Sequence, residues 1–319
     1  MNSIQLIQNK SEIGAGTRGS SLGIDALRIA SLNQKSDFFS KYETVSIKDQ
    51  NHLLFEKNRT PSAIRVEGIR KVYSSVADAV KTSYSSNKFP LVLAADHASA
   101  GGTIAGIKMA NPNKRLGVIW IDAHGDLHSP YTSPTGNVHG MPLATALGED
   151  NLPCQIKEIK EETKEHWEAM KNLGDINPKI LPEDLIFFGV RDTESPENKL
   201  MDRLNIKNFK VAECRESGIP AVAKAALEKL SNCDIIYISF DVDSMDSDTV
   251  SEGTGTPVPN GFNPKEAQEL IEVLLASKKV TCFEMVEVNP TLDTKNTMAE
   301  TAFKILENTS NQIEKYCLS

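Results

Sequence analysis

Two groups of carboxylate and imidazole side chains are spaced so that they could bind metal ions. Asp122, His124 and Asp126 occur at alternating positions, and Asp241 and Asp243 repeat this spacing further along the chain. In an extended segment, residues two apart point to the same side. The side chains of each group should therefore converge. Carboxylates and imidazoles are ligands of divalent metal ions, so the pattern predicts a metal site.

Each group follows an apolar run that is typical of a buried strand. Leu116–Ile121 precedes the first group, and a run that ends at Phe240 precedes the second. Both runs are rich in β-branched and aromatic residues, as in a parallel sheet that is buried on both faces. The carboxyl ends of the strands border the ligand crevice in open α/β sheets. We therefore expect both groups at one edge of one sheet.

A third strand end supplies another candidate ligand. The apolar run 90–95 leads into Asp96 and His97, and a turn of small residues follows. Any one of these polar residues could instead be a turn or capping residue. However, four of the six histidines lie in this region of the chain: His97, His124, His128 and His139. This clustering favours a ligand role, and His97 is the sixth candidate ligand.

The composition of the ligand set favours two ions over one structural zinc. It contains oxygen and nitrogen donors without cysteine, which indicates Mn²⁺, Mg²⁺, Fe²⁺ or Co²⁺. Four of the candidate ligands are carboxylates, and the full set exceeds what one ion needs. Paired ions roughly 3.5–4 Å apart make a hydroxide nucleophile near neutral pH and stabilise the charge that develops during attack. The sequence therefore predicts a hydrolase.

The composition also argues against several other classes of protein. The 319 residues carry a net charge of −8, and no basic stripe offsets it, which argues against nucleic-acid binding. The five cysteines are scattered and form no CxxC pair, which is typical of reduced thiols. The N-terminus has no signal-peptide apolar region, and no apolar stretch is long enough to span a membrane. We expect a soluble, cytoplasmic protein.

Strand-like and helix-like segments alternate along the chain. The strand candidates are Ile4–Ile7, Glu43–Ile47, Leu91–Ala95, Leu116–Ile121, Leu185–Val190, Phe209–Ala212, Ile235–Phe240 and Val280–Val286. Helical patterns include Gly68–Ser83, Pro220–Leu230 and Pro264–Leu275. This alternation predicts βαβ units and a mostly parallel sheet. Because we find no repeat and no linker, residues 1–319 are predicted to form a single α/β/α three-layer domain.

One charged segment is predicted to be a solvated surface helix. Gln155–Leu173 combines Lys and Glu residues at i,i+4 spacing, which supports an exposed helix. His166 lies within this segment and is therefore not expected to be a metal ligand.

Two glycine motifs near the N-terminus do not meet the structural requirements of their families. Gly14–Gly19 matches GxGxxG, and Gly19–Gly23 matches GxSxG. Both motifs require a strand that runs directly into the turn. Here polar residues separate the first strand from the glycines, so we expect a glycine-rich loop before a helix rather than a nucleotide site or a nucleophile elbow.

Together with these ligands, several longer stretches resemble the arginase/agmatinase (ureohydrolase) family over nearly the whole chain. They are WIDAHGDLHSP, TGNVHGMPL, FGVRD, SFDVDSMD, GTGTPV and EMVEVNP. The resemblance implies a parallel sheet with helices on both faces and assembly into homotrimers or homohexamers. It also implies two Mn²⁺ per subunit, with Co²⁺ preferred in some members, and attack of a metal-bridging hydroxide on a guanidinium carbon with release of urea.

The resemblance also implies roles for individual residues. Asp122 and Asp241 would bridge the ions, one ion would take His97 and Asp126, and the other would take His124 and Asp243. His139 would carry a proton to the leaving amine, as suits an imidazole near neutral pH. Glu287 would pair with the substrate guanidinium, and Thr256 would line the site. His139, Glu287 and Asp126 are thus the predicted catalytic residues.

The loop around Thr135 and Asn137 resembles the arginase version of the family. In arginases the side chains at these positions bind the α-carboxylate, which predicts hydrolysis of L-arginine to L-ornithine and urea. Such a site would reject agmatine, which has no carboxylate. Two substrate-contacting positions differ: His128 stands where arginases commonly have Asn, and Glu194 stands where they have Asp. These differences affect the geometry more than the charge of the contacts.

Three alternatives remain open on the sequence alone. Another ureohydrolase substrate, namely agmatine, guanidinobutyrate or formiminoglutamate, would change the specificity and keep the mechanism. A catalytically idle metal-binding homologue would bind metal without hydrolysing guanidines. The hypothesis of a nucleotide-dependent oxidoreductase depends on the GxGxxG match alone.

Overall fold

One sheet of eight parallel strands forms the centre of the protein. The structure, a computed structural model, describes residues 1–318. The strands are β1 (Ser3–Asn9), β2 (Glu43–Ile47), β3 (Lys88–Ala94), β4 (Leu116–Ile121), β5 (Leu185–Phe188), β6 (Lys207–Phe209), β7 (Ile235–Asp241) and β8 (Val280–Val286). Their order across the sheet is β2-β1-β3-β8-β7-β4-β5-β6, and every neighbouring pair is parallel. The predicted parallel sheet is confirmed.

Helices cover both faces of this sheet. They are α1 (Gly23–Asn33), α2 (Phe38–Lys41), α3 (Val66–Ser85), α4 (Ser99–Ala110), α5 (Pro142–Leu147), α6 (Glu161–Lys171), α7 (Ser195–Leu204), α8 (Val211–Ser217), α9 (Ile219–Lys229), α10 (Pro264–Leu275) and α11 (Thr297–Tyr316). Alternate residues of β4 show the two faces. Ile119 and Ile121 pack into a core shared with α1, α9, α10 and α11, whereas Val118 and Trp120 pack into one shared with α3, α4 and α7. The predicted three-layer arrangement is confirmed.

The strand order brings the predicted ligands together. His97 follows β3, Asp122 follows β4, Asp241 ends β7, and Glu287 follows β8. These four strands are consecutive in the order β3-β8-β7-β4 at the centre of the sheet. Because all of them are parallel, their carboxyl ends lie along one edge, where a ligand crevice is expected.

Two of the predicted strands are shorter than expected. The segment Phe209–Ala212 is mostly not a strand, because β6 ends at Phe209 and α8 begins at Val211. The segment Leu185–Val190 leaves the sheet after Phe188, and the next residue, Gly189, has a φ of +86°. This left-handed backbone turns the chain out of the extended direction.

Only part of the charged segment Gln155–Leu173 is helical. The prediction that this helix is solvated is wrong for one of its faces. Helix α6 covers Glu161–Lys171, and Thr163, Trp167, Met170 and Lys171 are buried. These positions recur with helical spacing, so they form one face that packs inwards.

Within residues 1–318, the helices are too short or too polar for any of them to cross a membrane.

Candidate active site

His97 faces three carboxylates at the centre of the site. Its Nδ1 lies 3.1 Å from Asp122 Oδ2, 3.0 Å from Asp126 Oδ2 and 3.1 Å from Asp241 Oδ2. Despite these separations, neither His97 Nδ1 nor Asp122 Oδ2 has a hydrogen-bond partner within the described residues. A buried imidazole nitrogen and a buried carboxylate oxygen without partners are costly, and a divalent ion between them would satisfy both.

A second group of ligand-type atoms shares Asp122 with the first. His124 Nδ1 lies 3.5 Å from Asp122 Oδ1 and 3.1 Å from Asp243 Oδ2. Ligand atoms of His97, Asp122 and Asp126 lie within 4.8 Å of one another, as do those of Asp122, His124 and Asp243. Two overlapping groups with one common carboxylate fit a pair of ions.

The charges of this site also fit a pair of cations. Burial and the negative charge of Asp122 raise the pKa of Asp126 to about 6. Burial and the charges of Asp243 and Asp122 raise the pKa of Asp241 well above its ordinary value. Both carboxylates thus release their protons less readily than ordinary aspartates as long as no further positive charge is present. Divalent ions would supply that charge.

Hydrogen bonds hold the ligand-type side chains in place. His97 Nε2 lies 2.7 Å from Ser239 Oγ. The backbone N–H of Asp243 donates to Asp241 Oδ1 at 2.8 Å, and Thr256 Oγ1 donates to Asp243 Oδ2 at 3.0 Å. Such secondary contacts orient metal ligands and tune their affinity. Thr256 therefore contacts a candidate ligand, as well as lining the cavity.

His139 and Glu287 form a pair next to the ligand-type groups. His139 Nδ1 lies 3.1 Å from Glu287 Oε1, which also accepts a hydrogen bond from the backbone N–H of His97 at 2.9 Å. Burial lowers the pKa of His139, but the contact with Glu287 and the charges of Asp126 and Asp96 together outweigh burial, and the net pKa is raised. Glu287 Oε2 is buried and has no partner within the described residues. The pair thus leaves one carboxylate oxygen available to a hydrogen-bond donor.

Two of the site residues hold unusual backbone conformations. Asp126 has a φ of +50° and Glu287 has a φ of +68°. Left-handed backbone in residues other than glycine costs of the order of 1–3 kcal/mol and is concentrated at functional sites.

A cavity of about 260 Å³ lies in front of these groups. Eleven of the thirteen residues predicted from the sequence line it: His97, His124, Asp126, His128, Thr135, Asn137, His139, Glu194, Asp241, Asp243 and Thr256. The other two, Asp122 and Glu287, lie behind this wall in contact with residues that line it.

The predicted substrate loop adopts a tight turn at the rim of the cavity. Gly136 has a φ of +79°, and a Cβ at this position would lie 2.1 Å from the carbonyl oxygen of Pro61. Only glycine fits here without strain. The turn places Thr135 and Asn137 on the cavity wall, where Thr135 Oγ1 accepts a hydrogen bond from the backbone N–H of Asn137 at 3.2 Å.

His128 and Glu194 contact each other across the cavity. His128 Nε2 is in hydrogen-bond contact with Glu194 Oε2, and it lies 3.5 Å from Glu197 Oε2. His128 Nδ1 lies 3.2 Å from Thr132 Oγ1. Glu194 precedes α7, and its backbone N–H donates to Glu197 Oε2 at 3.1 Å. The two positions at which the family resemblance implies other residues are therefore partners in this chain.

The glycine loop contacts the site through backbone hydrogen bonds of Gly14. It does not directly follow a strand, as a nucleotide-binding turn or a nucleophile elbow would. The carbonyl oxygen of Gly14 accepts a hydrogen bond from the backbone N–H of His139 at 3.2 Å. The backbone N–H of Gly14 donates to Asp96 Oδ2 at 2.8 Å. Strand β1 ends at Asn9, well before the glycines, so the strand does not run into the turn.

Three residues that were not predicted lie close to histidines of the site. Ser239 precedes Asp241 by two positions in β7, so strand periodicity could have placed it on the same side. Glu197 follows Glu194 by three positions, which is the spacing of a capping box. Asp192 lines the cavity with Oδ2 3.6 Å from His124 Nε2, and it is the last residue of the FGVRD stretch, which follows β5 and could have indicated it.

Comparisons with known proteins agree with this geometry. The chain matches the model of the arginase family over residues 4–310. It is 33% identical to an arginase of Bacillus subtilis over 307 residues, which cover 95% of this chain and 96% of that protein. It is also 33% identical to an arginase of Brevibacillus brevis, with 92% and 93% of the two chains covered. The solved structure of the arginase from Bacillus caldovelox superposes with a TM-score of 0.81 at 30% identity, covering 97% of this chain and 98% of the other.

The match to the family model and the relatives extends over nearly the whole chain, including every strand that carries a candidate ligand. Sequence, fold and ligand arrangement thus lead to one conclusion: this chain is a hydrolase that belongs to the arginase family.

Proposed function

We propose that this protein hydrolyses L-arginine to L-ornithine and urea, with two Mn²⁺ ions per subunit. The observation that carries the proposal is the unpartnered Oε2 of buried Glu287, beside His139 and the ligand-type groups. A guanidinium group offers planar N–H donors that match a carboxylate. Binding there would place the guanidinium carbon next to the metal ligands.

Six residues would hold the ions. They are His97, Asp122, His124, Asp126, Asp241 and Asp243, with Asp122 common to both ligand groups. When bound, the ions would activate water as the nucleophile and stabilise the charge that develops during attack. The oxygen and nitrogen donors suit Mn²⁺ and also Co²⁺.

The protein's own groups would orient the substrate and move the proton. Glu287 would hold the guanidinium through Oε2 and hold His139 through Oε1. Because Nδ1 of His139 faces Glu287, its Nε2 is the atom that would deliver a proton to the departing nitrogen. Water adds to the guanidinium carbon, the bond from this carbon to the side-chain nitrogen breaks, and urea and ornithine result.

The amino-acid end of the substrate would bind at the rim of the cavity. Thr135 and Asn137 would hydrogen-bond the α-carboxylate, and Glu194 would face the α-ammonium group. The contact between His128 and Glu194 places the Glu194 carboxylate on the cavity wall. No lysine or arginine lines this cavity within the described residues, so neutral donors and His128 would bind the carboxylate.

We further propose a homotrimer or homohexamer located in the cytoplasm, in line with the family resemblance and with the reduced-thiol pattern of the five cysteines.

Urea release is the direct test of the proposal. The Mn²⁺-loaded protein should be assayed on L-arginine, agmatine and guanidinobutyrate in parallel, and formamide release should be measured on formiminoglutamate. A clear preference for L-arginine supports the assignment. Preference for another substrate keeps the site and overturns the proposed contacts of Asn137 and Glu194, and no hydrolysis with two ions bound indicates an idle homologue.

A further inference from the structure

A third group of metal-type side chains lies in the same cavity, apart from the two ligand groups described above. We call it the outer cluster, and it consists of His128, Glu194 and Glu197. One ligand atom from each of these residues lies within 4.8 Å of the other two. The two inner groups have the same compactness, and the outer cluster shares no residue with them.

One carboxylate of the outer cluster is rigidly held in the protein interior. Glu197 is only 4% exposed. Its Oε1 accepts a hydrogen bond from the backbone N–H of Leu127 at 3.2 Å, and its Oε2 accepts one from the backbone N–H of Glu194 at 3.1 Å. Buried carboxylates are normally paired with a cation, and the cavity lining within residues 1–318 includes no lysine or arginine, so the imidazole of His128, 3.5 Å from Glu197 Oε2, is the group of this cluster that could carry a positive charge.

The imidazole of the outer cluster is oriented as in a metal ligand. His128 Nδ1 lies 3.2 Å from Thr132 Oγ1, so a hydroxyl group fixes one ring nitrogen. Nε2 then faces both carboxylates. Histidines that ligate metals typically use their second nitrogen in this way, because the outer hydrogen bond sets the tautomer and the ring orientation.

The spacing within the outer cluster also suits a bound ion. His128 Nε2 and Glu197 Oε2 are 3.5 Å apart. Two ligands at 2.0–2.1 Å from one tetrahedral ion are about 3.3 Å apart. Glu194 lies closer to His128, and its side chain is 55% exposed, so it can rotate outwards to admit an ion.

We propose that His128, Glu194 and Glu197 form a third metal site, with a preference for Zn²⁺. One imidazole and two carboxylates, with water as a further ligand, form a donor set that Zn²⁺ accepts readily. An ion at this position would occupy the space assigned above to the α-ammonium group of the substrate. Zn²⁺ should therefore compete with L-arginine, and this second part of the inference rests on the proposed function.

The first test is the total number of metal ions per chain. Mn²⁺-loaded protein is dialysed against micromolar Zn²⁺, and both metals are counted by inductively coupled plasma mass spectrometry. The total is used because replacement of inner ions by Zn²⁺ would leave it unchanged. We expect one ion more per chain in the wild type than in His128→Asn, with Zn²⁺ affinity at the outer cluster weakened by at least about 10- to 100-fold.

Two further variants separate the site from general effects. Glu194→Gln removes a half-exposed ligand and should also lose the additional ion. His52→Asn removes an exposed histidine outside the cavity and should retain it. Circular dichroism of each variant verifies folding. If the wild type, His128→Asn and Glu194→Gln contain equal metal totals, the proposal of a third metal site is overturned.

The second test measures inhibition by Zn²⁺, and its result is independent of the metal totals. Zn²⁺ should raise the apparent KM for L-arginine in the wild type, and His128→Asn should raise the inhibition constant by at least about tenfold. An additional ion that does not compete with L-arginine would overturn the assigned overlap with the substrate. If no guanidine is hydrolysed, the proposed function fails, and the metal totals still decide whether the third site exists.

Discussion

His97 Nε2 lies 2.7 Å from Ser239 Oγ, while Nδ1 of the same ring faces three carboxylates. The ring also lies flat against the indole of Trp120, with centroids 4.1 Å apart and planes 3° apart. The hydroxyl and the indole together fix both the plane and the rotation of the imidazole. The orientation of this candidate ligand is therefore set before any ion binds.

Replacing Ser239 with alanine should weaken metal binding and leave the fold intact. The variant removes the partner of His97 Nε2, and changes of this kind cost about 10- to 100-fold in metal affinity. Calorimetric titration of the metal-free protein with Mn²⁺ measures the effect. Thermal unfolding of the metal-free variant is the control, and an unchanged Mn²⁺ affinity would show that Trp120 alone orients the ring.

Asp122→Asn should abolish both bound metal and hydrolysis, because Asp122 belongs to both ligand groups. Asp241→Asn should have the same effect. Without metal, Asp241→Asn should be no less stable than the wild type, because burial and the charges of Asp243 and Asp122 raise the pKa of Asp241 and its negative charge is unfavourable. Asp122→Asn should be less stable, because contacts with His124 and His97 outweigh burial, hold the pKa of Asp122 below its ordinary value and make its charge favourable. Metal analysis, urea release and thermal unfolding test the three statements.

Asp192→Asn is the matched control for these variants. Asp192 lines the same cavity, but its side chain is largely exposed, and its Oδ2 is 3.6 Å from His124 Nε2. This variant should retain bound metal and most of the activity. Full activity in Asp122→Asn, or loss of metal in Asp192→Asn, would contradict the assigned ligand set.

Asn137→Ala should raise KM for L-arginine far more than for agmatine. A hydrogen bond to a charged group contributes about 1.5–3 kcal/mol, which corresponds to a change of about 10- to 100-fold. Agmatine has no carboxylate and should be little affected. Steady-state urea release on both substrates provides the comparison, and equal changes for the two would place the carboxylate elsewhere.

The position of the inner site could be predicted from the sequence because it depends on local rules. The ligands follow apolar runs, and all parallel strands end at the same edge of the sheet. Strand β4 shows how the sequence indicates the strand ends: Val118 and Trp120 face one core, and Ile119 and Ile121 face the other. A strand buried on both faces is visible as a continuous apolar run.

The outer cluster could not be predicted in this way, because its residues belong to segments that follow different strands. His128 lies after β4, and Glu194 and Glu197 lie after β5. Their contact depends on the pairing of β4 with β5, which is a property of the strand order. Local patterns do not specify that order.

The buried face of α6 was missed for a different reason. Trp167 and Met170 are the main apolar residues of this face, and charged residues surround them in the sequence. The apolar periodicity is therefore weak. The burial of Lys171, which is paired with Asp150 at 2.7 Å, further hides the inward face.

Asp150→Ala should destabilise the protein, because Asp150 anchors α6. Its Oδ1 accepts hydrogen bonds from Trp167 Nε1 and from Lys171 Nζ, each at 2.7 Å. Without Asp150, the indole N–H of buried Trp167 would lose its partner, which costs about 1–3 kcal/mol, whereas Lys171 would keep its ion pair with Glu168. We therefore expect the free energy of unfolding to fall by about 1–3 kcal/mol in chemical denaturation.

Glu168→Ala is the matched control for Asp150→Ala. Glu168 also pairs with Lys171 at 2.7 Å, but its side chain is 42% exposed, compared with 23% for Asp150. Such ion pairs contribute about 0–1 kcal/mol. A loss in Asp150→Ala no larger than that in Glu168→Ala would mean that α6 is not anchored through Asp150.

Lys179 should make stability depend on pH in the alkaline range. Its side chain is buried, its Nζ donates to the carbonyl oxygen of Lys171 at 2.5 Å, and burial lowers its pKa from 10.5 to about 8. Below pH 8 the amine is protonated in both states, and the cost of burying its charge is fully present. Between pH 8 and 10.5 the folded state releases the proton while the unfolded state keeps it, so this cost is relieved.

The variant Lys179→Met isolates this effect from the other groups that titrate at high pH. Because the variant has no amine, its free energy of unfolding relative to the wild type should fall between pH 8 and pH 10. The shift of the pKa corresponds to about 3 kcal/mol at most. Urea denaturation of both proteins at several pH values measures the difference. A difference that stays constant with pH would mean that Lys179 keeps its ordinary pKa in the folded protein, with its ammonium group solvated by the carbonyls around it.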